Sequence, residues 1–186
     1  MINKKKILIA IGGTGGHVFP GLNLAKYLIK KKFIVELVSD NRGLKYLKNI
    51  DKIKISTLPF PRFNTKNIFL TFFSSILLFF SVFRSLIFLL FNRPTIIFGM
   101  GGYASFPICI AAKVLRIKLI IYENNLITGK ANKFLAPFAN KIIVSHEEVE
   151  GVLNNYSFKI QKIGNIINQE ILNFKSTHFE NLNYDN

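Results

Sequence analysis

Cysteine is nearly absent from this 186-residue chain. Cys109 has no possible partner within it, which excludes an intrachain disulfide scaffold and points to a reducing compartment, the cytoplasm. Acid is also scarce: 10 Asp and Glu stand against 25 Lys and Arg, a formal net charge of +15. Such a chain expects anionic partners, a membrane surface or phosphorylated substrates. Nucleic acid is excluded from that set, because the basic residues are mostly scattered lysines and form neither Arg-rich clusters nor a recognisable reading module. No Asp-x-Asp pair is present to hold a metal–diphosphate complex, so no metal is expected. No cofactor is implied either. A secretory leader is lacking too. Met1 to Lys6 opens on positive charge, but the apolar run Ile7 to Ile11 stops at Gly12-Gly13, short of the roughly 7–15 residues a leader needs. It reads as a buried first strand.

There is no internal repeat, and no Pro/Gly/Ser-rich linker before Gly164. The length suits one sizeable core, with residues 1–164 as the domain and 165–186 as a polar, Asn-rich tail. After the first strand come residues 12–16, rich in glycine. A helix follows, in which Leu22, Leu24, Ala25, Leu28 and Ile29 recur at helical spacing and Lys30-Lys31-Lys32 closes the end. The alternation continues with strands at about 33–39, 53–57, 95–98, 118–122, 141–144 and 159–163. Between them lie helices at about 42–49, 105–115, 129–135 and 146–154. Strands alternating with helices indicate an α/β fold, a Rossmann-like doubly wound parallel sheet with right-handed crossovers.

One segment exceeds what that fold requires. From Asn67 to Phe91 the only charge is Arg84, and a helix of this length, rising about 1.5 Å per residue, matches a hydrocarbon core of about 30 Å. Three readings fit: a crossover helix buried on the sheet, a helix packing inward while its outer face dips into lipid, and a true span. A span would leave the strands before Pro59 and those after Pro94 on opposite sides of a bilayer, unable to share a sheet. A crossover helix needs only one apolar face. Phe69, Phe72, Phe73, Phe79, Phe80, Phe83, Phe88 and Phe91 are more than one sheet face can cover, which keeps contact with lipid open beside the buried crossover. Lys45, Lys48, Lys52, Lys54, Arg62 and Lys66 stand ready for anionic headgroups.

Two glycine loops carry the chemistry. Gly12-Gly13-Thr14-Gly15-Gly16-His17 lies where the first strand gives way to a helix, so backbone N–H groups and a helix N-terminus can face a phosphate. The spacing is not the dinucleotide pattern G-x-G-x-x-G, and only Asp40 ends the second strand as a possible ribose ligand. Gly99-Met100-Gly101-Gly102-Tyr103-Ala104-Ser105 follows the strand at 95–98, with Ser105 as a candidate cap and Pro107 in the first turn of the next helix. Two such loops at the carboxyl ends of neighbouring strands suit a diphosphate. Tight turns alone would leave the same pattern.

The runs Gly12 to Gly21 and Gly99 to Tyr103 resemble the two N-terminal glycine loops of the MurG-type transferases, the undecaprenyl-diphospho-muramoyl-pentapeptide N-acetylglucosaminyltransferases of peptidoglycan synthesis. The likeness extends over residues 1 to about 172. Tyr122-Glu123-Asn124-Asn125 resembles the family's His-Glu-Gln-Asn element, with Tyr122 and Asn124 departing from it. Gly164-Asn165-Ile166-Ile167-Asn168 occupies the place of the Gly-Asn-Pro-Val-Arg hinge, with Ile166 for proline and Asn168 for arginine. The second change removes a cation expected near the donor.

The resemblance implies the N-terminal half of a two-domain GT-B fold, on the cytoplasmic face of the membrane. This half holds an undecaprenyl-diphosphate-linked muramoyl peptide, while an absent C-terminal domain holds UDP-N-acetylglucosamine. It implies acceptor diphosphate at Gly13, Thr14, Gly15, Gly16, Gly101, Gly102 and Tyr103, and sugar contact or loop ordering by Glu123 and Asn125. His17 becomes the candidate base for the attacking hydroxyl, against a role in phosphate binding or backbone ordering. His146 and His178 have no motif around them. Activity would then need a donor-binding domain or a separate donor-binding chain. A rival reading is a non-catalytic, membrane-anchoring subunit of a split transferase, and a third is an unrelated nucleotide-binding protein that would bind NAD or nucleotide.

Overall fold

The computed structural model describes residues 5–48, 50, 53–60, 67–146 and 149–167. Seven strands form one parallel sheet: β1 (Lys6–Ala10), β2 (Ile34–Ser39), β3 (Lys54–Thr57), β4 (Ile96–Gly99), β5 (Lys118–Glu123), β6 (Lys141–Val144) and β7 (Ile160–Lys162). Their order across the sheet is β3-β2-β1-β4-β5-β6-β7. β1 pairs with β2 on one side, Ile9 opposite Leu37, and with β4 on the other, Ile9 opposite Phe98. The strand order therefore reverses at β1/β4, where open α/β sheets form their ligand crevices.

Alternation along β1 divides the core in two, since successive side chains point to opposite faces. Ile7, Ile9 and Ile11 pack with Val18, Leu22 and Ala25 of α1 (Gly15–Lys30). Leu8 and Ala10 join the opposite cluster, which holds Leu89 of α2 (Ile68–Asn92), Ile108 and Ala112 of α3 (Gly102–Val114), and Leu135 of α4 (Lys130–Leu135). Cys109 is fully buried in that second cluster. Burial pushes its thiol up to about 12, so it is an inert packing residue.

α2 begins at Asn67, whose side chain accepts from the Leu70 N–H at 2.8 Å, and it ends at Arg93 in the left-handed region (φ 41°). It packs on α3, and its buried face is narrow: Ser74, Ser81, Ser85 and Leu89. The Ser85 hydroxyl donates to the Ser81 carbonyl, and the Ser81 hydroxyl is 2.9 Å from the Leu77 carbonyl and 3.1 Å from that of Pro59. Leu86 and Phe88 pack partly against the core, and most of the remaining surface stays outside. Phe69 is 82% exposed and Phe91 87%, with Phe72, Phe73, Phe79, Phe80 and Phe83 also exposed. The buried-crossover expectation thus holds only for the serine stripe and the Leu86, Phe88 and Leu89 end of the helix. The helix is long and apolar enough to cross a membrane, but β3 before it and β4 after it belong to the same sheet.

Three local expectations are corrected. The helix expected at 42–49 is a single 3₁₀ turn, Gly43–Tyr46, and that expected at 146–154 is a 3₁₀ stretch, Val152–Lys159, kinked at Tyr156. α3 starts three residues before the expected 105, because Gly101 (φ 87°) makes the turn into it. Ser105 therefore lies inside α3 and does not cap it; its hydroxyl contacts the Gly101 and Gly102 carbonyls. Arg62, Lys66, Lys52, Asn168, His178 and the tail from 168 onward fall outside the described residues.

Candidate active site

The loops after β1 and β4 meet at the switch point and open a cleft of about 280 Å³. Gly13, Thr14, His17, Gly102, Tyr103, Glu123 and Asn125 all line it. Gly101 sits beneath, against the His17 ring. Gly15 and Gly16 are the first residues of α1 and lie outside the lining. Their amides have no acceptor inside the helix, and the first turn carries no acid, so this end of α1 is positive.

Asp40, buried at the end of β2, shapes the first loop. Its Oδ1 accepts from the Gly13 N–H (3.1 Å) and the Gly43 N–H (2.9 Å), while Oδ2 pairs with Arg42 Nε at 2.6 Å. Burial pushes this carboxyl up, but the two amides and the guanidinium together outweigh it and hold it below the usual carboxylate value. Two expectations change. Asp40 is a brace for the loop and not a ribose ligand, and the Gly13 amide is already spent on it. Gly12 (φ 149°) is required here, since a Cβ would lie 2.6 Å from that of Ala104 and 2.8 Å from Asp40 Oδ1.

His17 bridges the two loops. Its Nδ1 is 2.9 Å from the Met100 carbonyl. A carbonyl can only accept, so Nδ1 carries the proton and Nε2 of the neutral ring is left as an acceptor. The ring rests on the Gly101–Gly102 backbone, where a Cβ on either glycine would come within 3.1 Å of it. Both glycines are at positive φ (87° and 72°), and a side chain on either would strain the turn and push the imidazole by a few tenths of an ångström.

Glu123 organises the opposite wall. Its carboxylate is buried and accepts four bonds: the Asn125 N–H (3.0 Å) and Nδ2 (2.8 Å) at Oε1, the Gly129 N–H (2.9 Å) and Asn132 Nδ2 (2.9 Å) at Oε2. Of the two roles expected for it, the hydrogen bonding matches loop ordering. Asn125 keeps Oδ1 as an unspent acceptor among the described residues. Tyr122 donates to Asn124 Oδ1 at 3.0 Å and accepts from the Ile166 N–H at 3.3 Å. The Ile166 bond is one that proline could not make, so three of the four departures from the family pattern, Tyr122, Asn124 and Ile166, meet one another.

Arg42, Gly129, Lys130, Ala131 and Asn132 also line the cleft and were not anticipated. Asn132 had a readable signal, an amide among the inward positions Ala131 and Leu135 of a short helix. Arg42 had none, because only the strand order brings the turn after β2 beside the first glycine loop. His146 is half-buried and away from the cleft.

A crevice at the switch point of a doubly wound sheet, walled by two glycine loops and a histidine, defines a Rossmann-like α/β domain whose cleft opens at its strand ends. The chain belongs to glycosyltransferase family 28: residues 7–144 match the family's N-terminal domain. It is 38% identical over 167 residues to the UDP-N-acetylglucosamine–N-acetylmuramyl-(pentapeptide) pyrophosphoryl-undecaprenol N-acetylglucosamine transferase of Rickettsia typhi, covering 90% of this chain and 42% of the relative. To the Pelagibacter ubique protein of the same name it is 34% identical over 170 residues, covering 91% and 47%. The chain thus spans less than half the length of these curated relatives. Among solved structures, Acinetobacter baumannii MurG superimposes with a TM-score of 0.68 at 24% identity, over 87% of this chain and 45% of that one. A UDP-GlcNAc 2-epimerase from Neisseria meningitidis bound to UDP-GlcNAc does so with 0.65 at 14% identity, over 95% and 50%. The architecture is the N-terminal half of a GT-B fold.

Proposed function

We propose that this chain is the acceptor-binding half of the transferase that moves N-acetylglucosamine from UDP-N-acetylglucosamine to an undecaprenyl-diphosphate-linked muramoyl pentapeptide, lipid I to lipid II, in peptidoglycan synthesis. The observation that carries it is the convergence of His17, both glycine loops and the Glu123-ordered loop on one cleft at β1/β4. The names of the relatives supply the substrates. The acceptor diphosphate lies against the N-terminal turns of α1 and α3, where free amides and positive potential favour it. His17 Nε2 takes the proton of the muramoyl 4-hydroxyl as that oxygen attacks the anomeric carbon, the configuration inverts, and UDP leaves. Glu123 keeps the loop around Asn125 in place, and Asn125 Oδ1 accepts from a sugar hydroxyl. The donor is held by a second domain, in the same polypeptide or in a partner chain.

Labelled N-acetylglucosamine and a short-chain lipid-diphosphate acceptor test the reading. The chain alone binds acceptor without transferring sugar, and transfer appears when the donor-binding half of a relative is added. Failure to bind acceptor would sink the proposal. Acceptor binding with transfer that does not depend on His17 would favour the non-catalytic anchoring subunit.

The exposed phenylalanines of α2 support peripheral attachment to the cytoplasmic face of the membrane. Phe72, Phe79 and Phe83 recur at helical spacing on one outward stripe, so changing all three to serine leaves the serine-lined inner face untouched. Sedimentation with phosphatidylglycerol vesicles is expected to fall by about tenfold or more, given the apolar area removed from lipid. Unchanged sedimentation, with the melting temperature also unchanged, would place the attachment elsewhere.

A further inference from the structure

Beyond β7 the chain turns back across the carboxyl end of the sheet. The Ile163 N–H bonds to the Val144 carbonyl at 3.2 Å, at the end of β6, and Gly164 (φ 76°) turns the backbone. Ile166 has reached the end of β5, where its N–H donates to the Tyr122 hydroxyl at 3.3 Å and its carbonyl faces Asn23 Nδ2 of α1 at 3.5 Å. Its side chain packs on the α1-side core, which contains Tyr122. Residues 163–167 therefore form a strap over the ends of β6 and β5, with no helix or strand of their own. Tyr122 is buried, so its phenol depends on protein partners. The single hydroxyl proton goes to Asn124 Oδ1 at 3.0 Å, and a lone pair takes the Ile166 N–H. One oxygen thus joins the strap to the loop after β5. Asn124 immediately precedes Asn125, which lines the first cleft and is fixed on Glu123 Oε1 through its N–H and Nδ2. The Ser145 hydroxyl, donating to the Glu123 carbonyl at 3.3 Å, stands beside the same phenol. A proline at 166 would have no N–H to give, so this junction belongs to the present chain and not to the family's Gly-Asn-Pro-Val-Arg pattern.

We propose that the Tyr122 hydroxyl is a latch coupling the strap at 163–167 to the cleft loop that carries Asn125, so that a ligand held by Asn125 and the seating of the strap stabilise each other. The proposal deepens the acceptor-binding reading and rests on it for the ligand. A hydroxyl that accepts a bond becomes a better donor, so the Ile166 and Asn124 bonds strengthen one another. Coupling between two sites is reciprocal. A strap lifted off Tyr122 loosens Asn124 and leaves Asn125 to be ordered when ligand arrives; a ligand on Asn125 holds the strap down. Tyr122 touches no ligand in this scheme and is a positioning residue. Residues 163–167 are where the chain leaves the sheet, so a donor-binding half attached there is placed according to whether the acceptor is bound.

Residue-resolved amide hydrogen exchange on the full chain tests this, with and without a short-chain lipid-diphosphate muramoyl acceptor. Tyr122→Phe keeps the ring and removes both hydroxyl bonds. It is expected to speed exchange at the Ile166 and Asn125 amides by about fivefold, the effect of losing one hydrogen bond. Asn124→Ala leaves the phenol in place at a half-buried position, so it keeps the test open should Tyr122→Phe fold poorly. It too is expected to speed exchange at Ile166, which Asn124 reaches only through the Tyr122 hydroxyl. Saturating acceptor slows Ile166 in the wild type and has no effect on it in Tyr122→Phe. A purely structural tyrosine would lower the melting temperature without touching that ligand response. Equal Ile166 exchange in wild type and Tyr122→Phe overturns the latch. So does an Asn124→Ala variant with wild-type exchange at Ile166, or an acceptor that slows Ile166 equally with and without the hydroxyl. If calorimetry finds no acceptor binding, the acceptor reading falls, and the ligand-free exchange of the two variants alone decides whether strap and loop are joined.

Discussion

On the proposed acceptor-binding reading, replacing His17 by alanine is expected to lower kcat of the transferase, assembled with a donor-binding half, by about two to four orders of magnitude, the range for losing a positioned general base. The acceptor KM moves little. The split between the two constants is what separates a base from a phosphate ligand: a ligand to the ground-state diphosphate would be lost chiefly in KM. The expectation follows from how the ring is held. The Met100 carbonyl fixes the proton on Nδ1, and the Gly101–Gly102 backbone fixes the plane. Nε2 is then an acceptor without any further rearrangement. A His17→Ala enzyme with unchanged kcat and a raised KM would assign the ring to diphosphate binding.

Glu123→Gln is expected to destabilise the domain by about 2–4 kcal/mol, measured as a shift in the denaturant midpoint, since a buried acceptor of several bonds becomes in part a donor. Size and shape are nearly conserved, so the cost is one of polarity. A carboxylate satisfies the Asn125 and Gly129 amides and the Asn125 and Asn132 side chains together. A glutamine presents its NH₂ to two of those N–H donors. Asn132 cannot turn over to help, because its Nδ2 also donates to the Tyr122 carbonyl at 3.0 Å. A loss below about 0.5 kcal/mol, within the range of neutral surface changes, would show that water replaces these bonds and that Glu123 does not order the loop.

The order of strands and helices could be read directly, because doubly covered parallel strands such as Ile7 to Ile11 are continuous apolar runs between polar breaks. His17 and the glycine loops were legible for a related reason: they sit next to each other along the chain, so the motif carries the local geometry. What escaped depends on neighbours across the sheet. Asp40 looked like a ligand because it ends a strand, and only the β2/β1 pairing reveals that Oδ1 reaches the Gly13 amide. The start of α3 was misplaced because Ser105 is the conventional cap, whereas Gly101 and Gly102 at positive φ turn the chain earlier. Counting phenylalanines against the area of one sheet face left a buried and a lipid-facing α2 both open, and the structure exposes most of the helix. Which of its faces would go inward was set by serines, which hydropathy ranks as outward.

β1 contributes Leu8 and Ala10 to one core and Ile7, Ile9 and Ile11 to the other, and it is hydrogen-bonded to β2 and β4 at once. The two halves of the interior are therefore not independent thermodynamic units. Melting either one strips a face from β1 and with it the strand end that carries Gly12 and Gly13. The cleft has no separate stability of its own: it is lost with the whole domain, in one cooperative step, and damage deep on either side of the sheet reaches it.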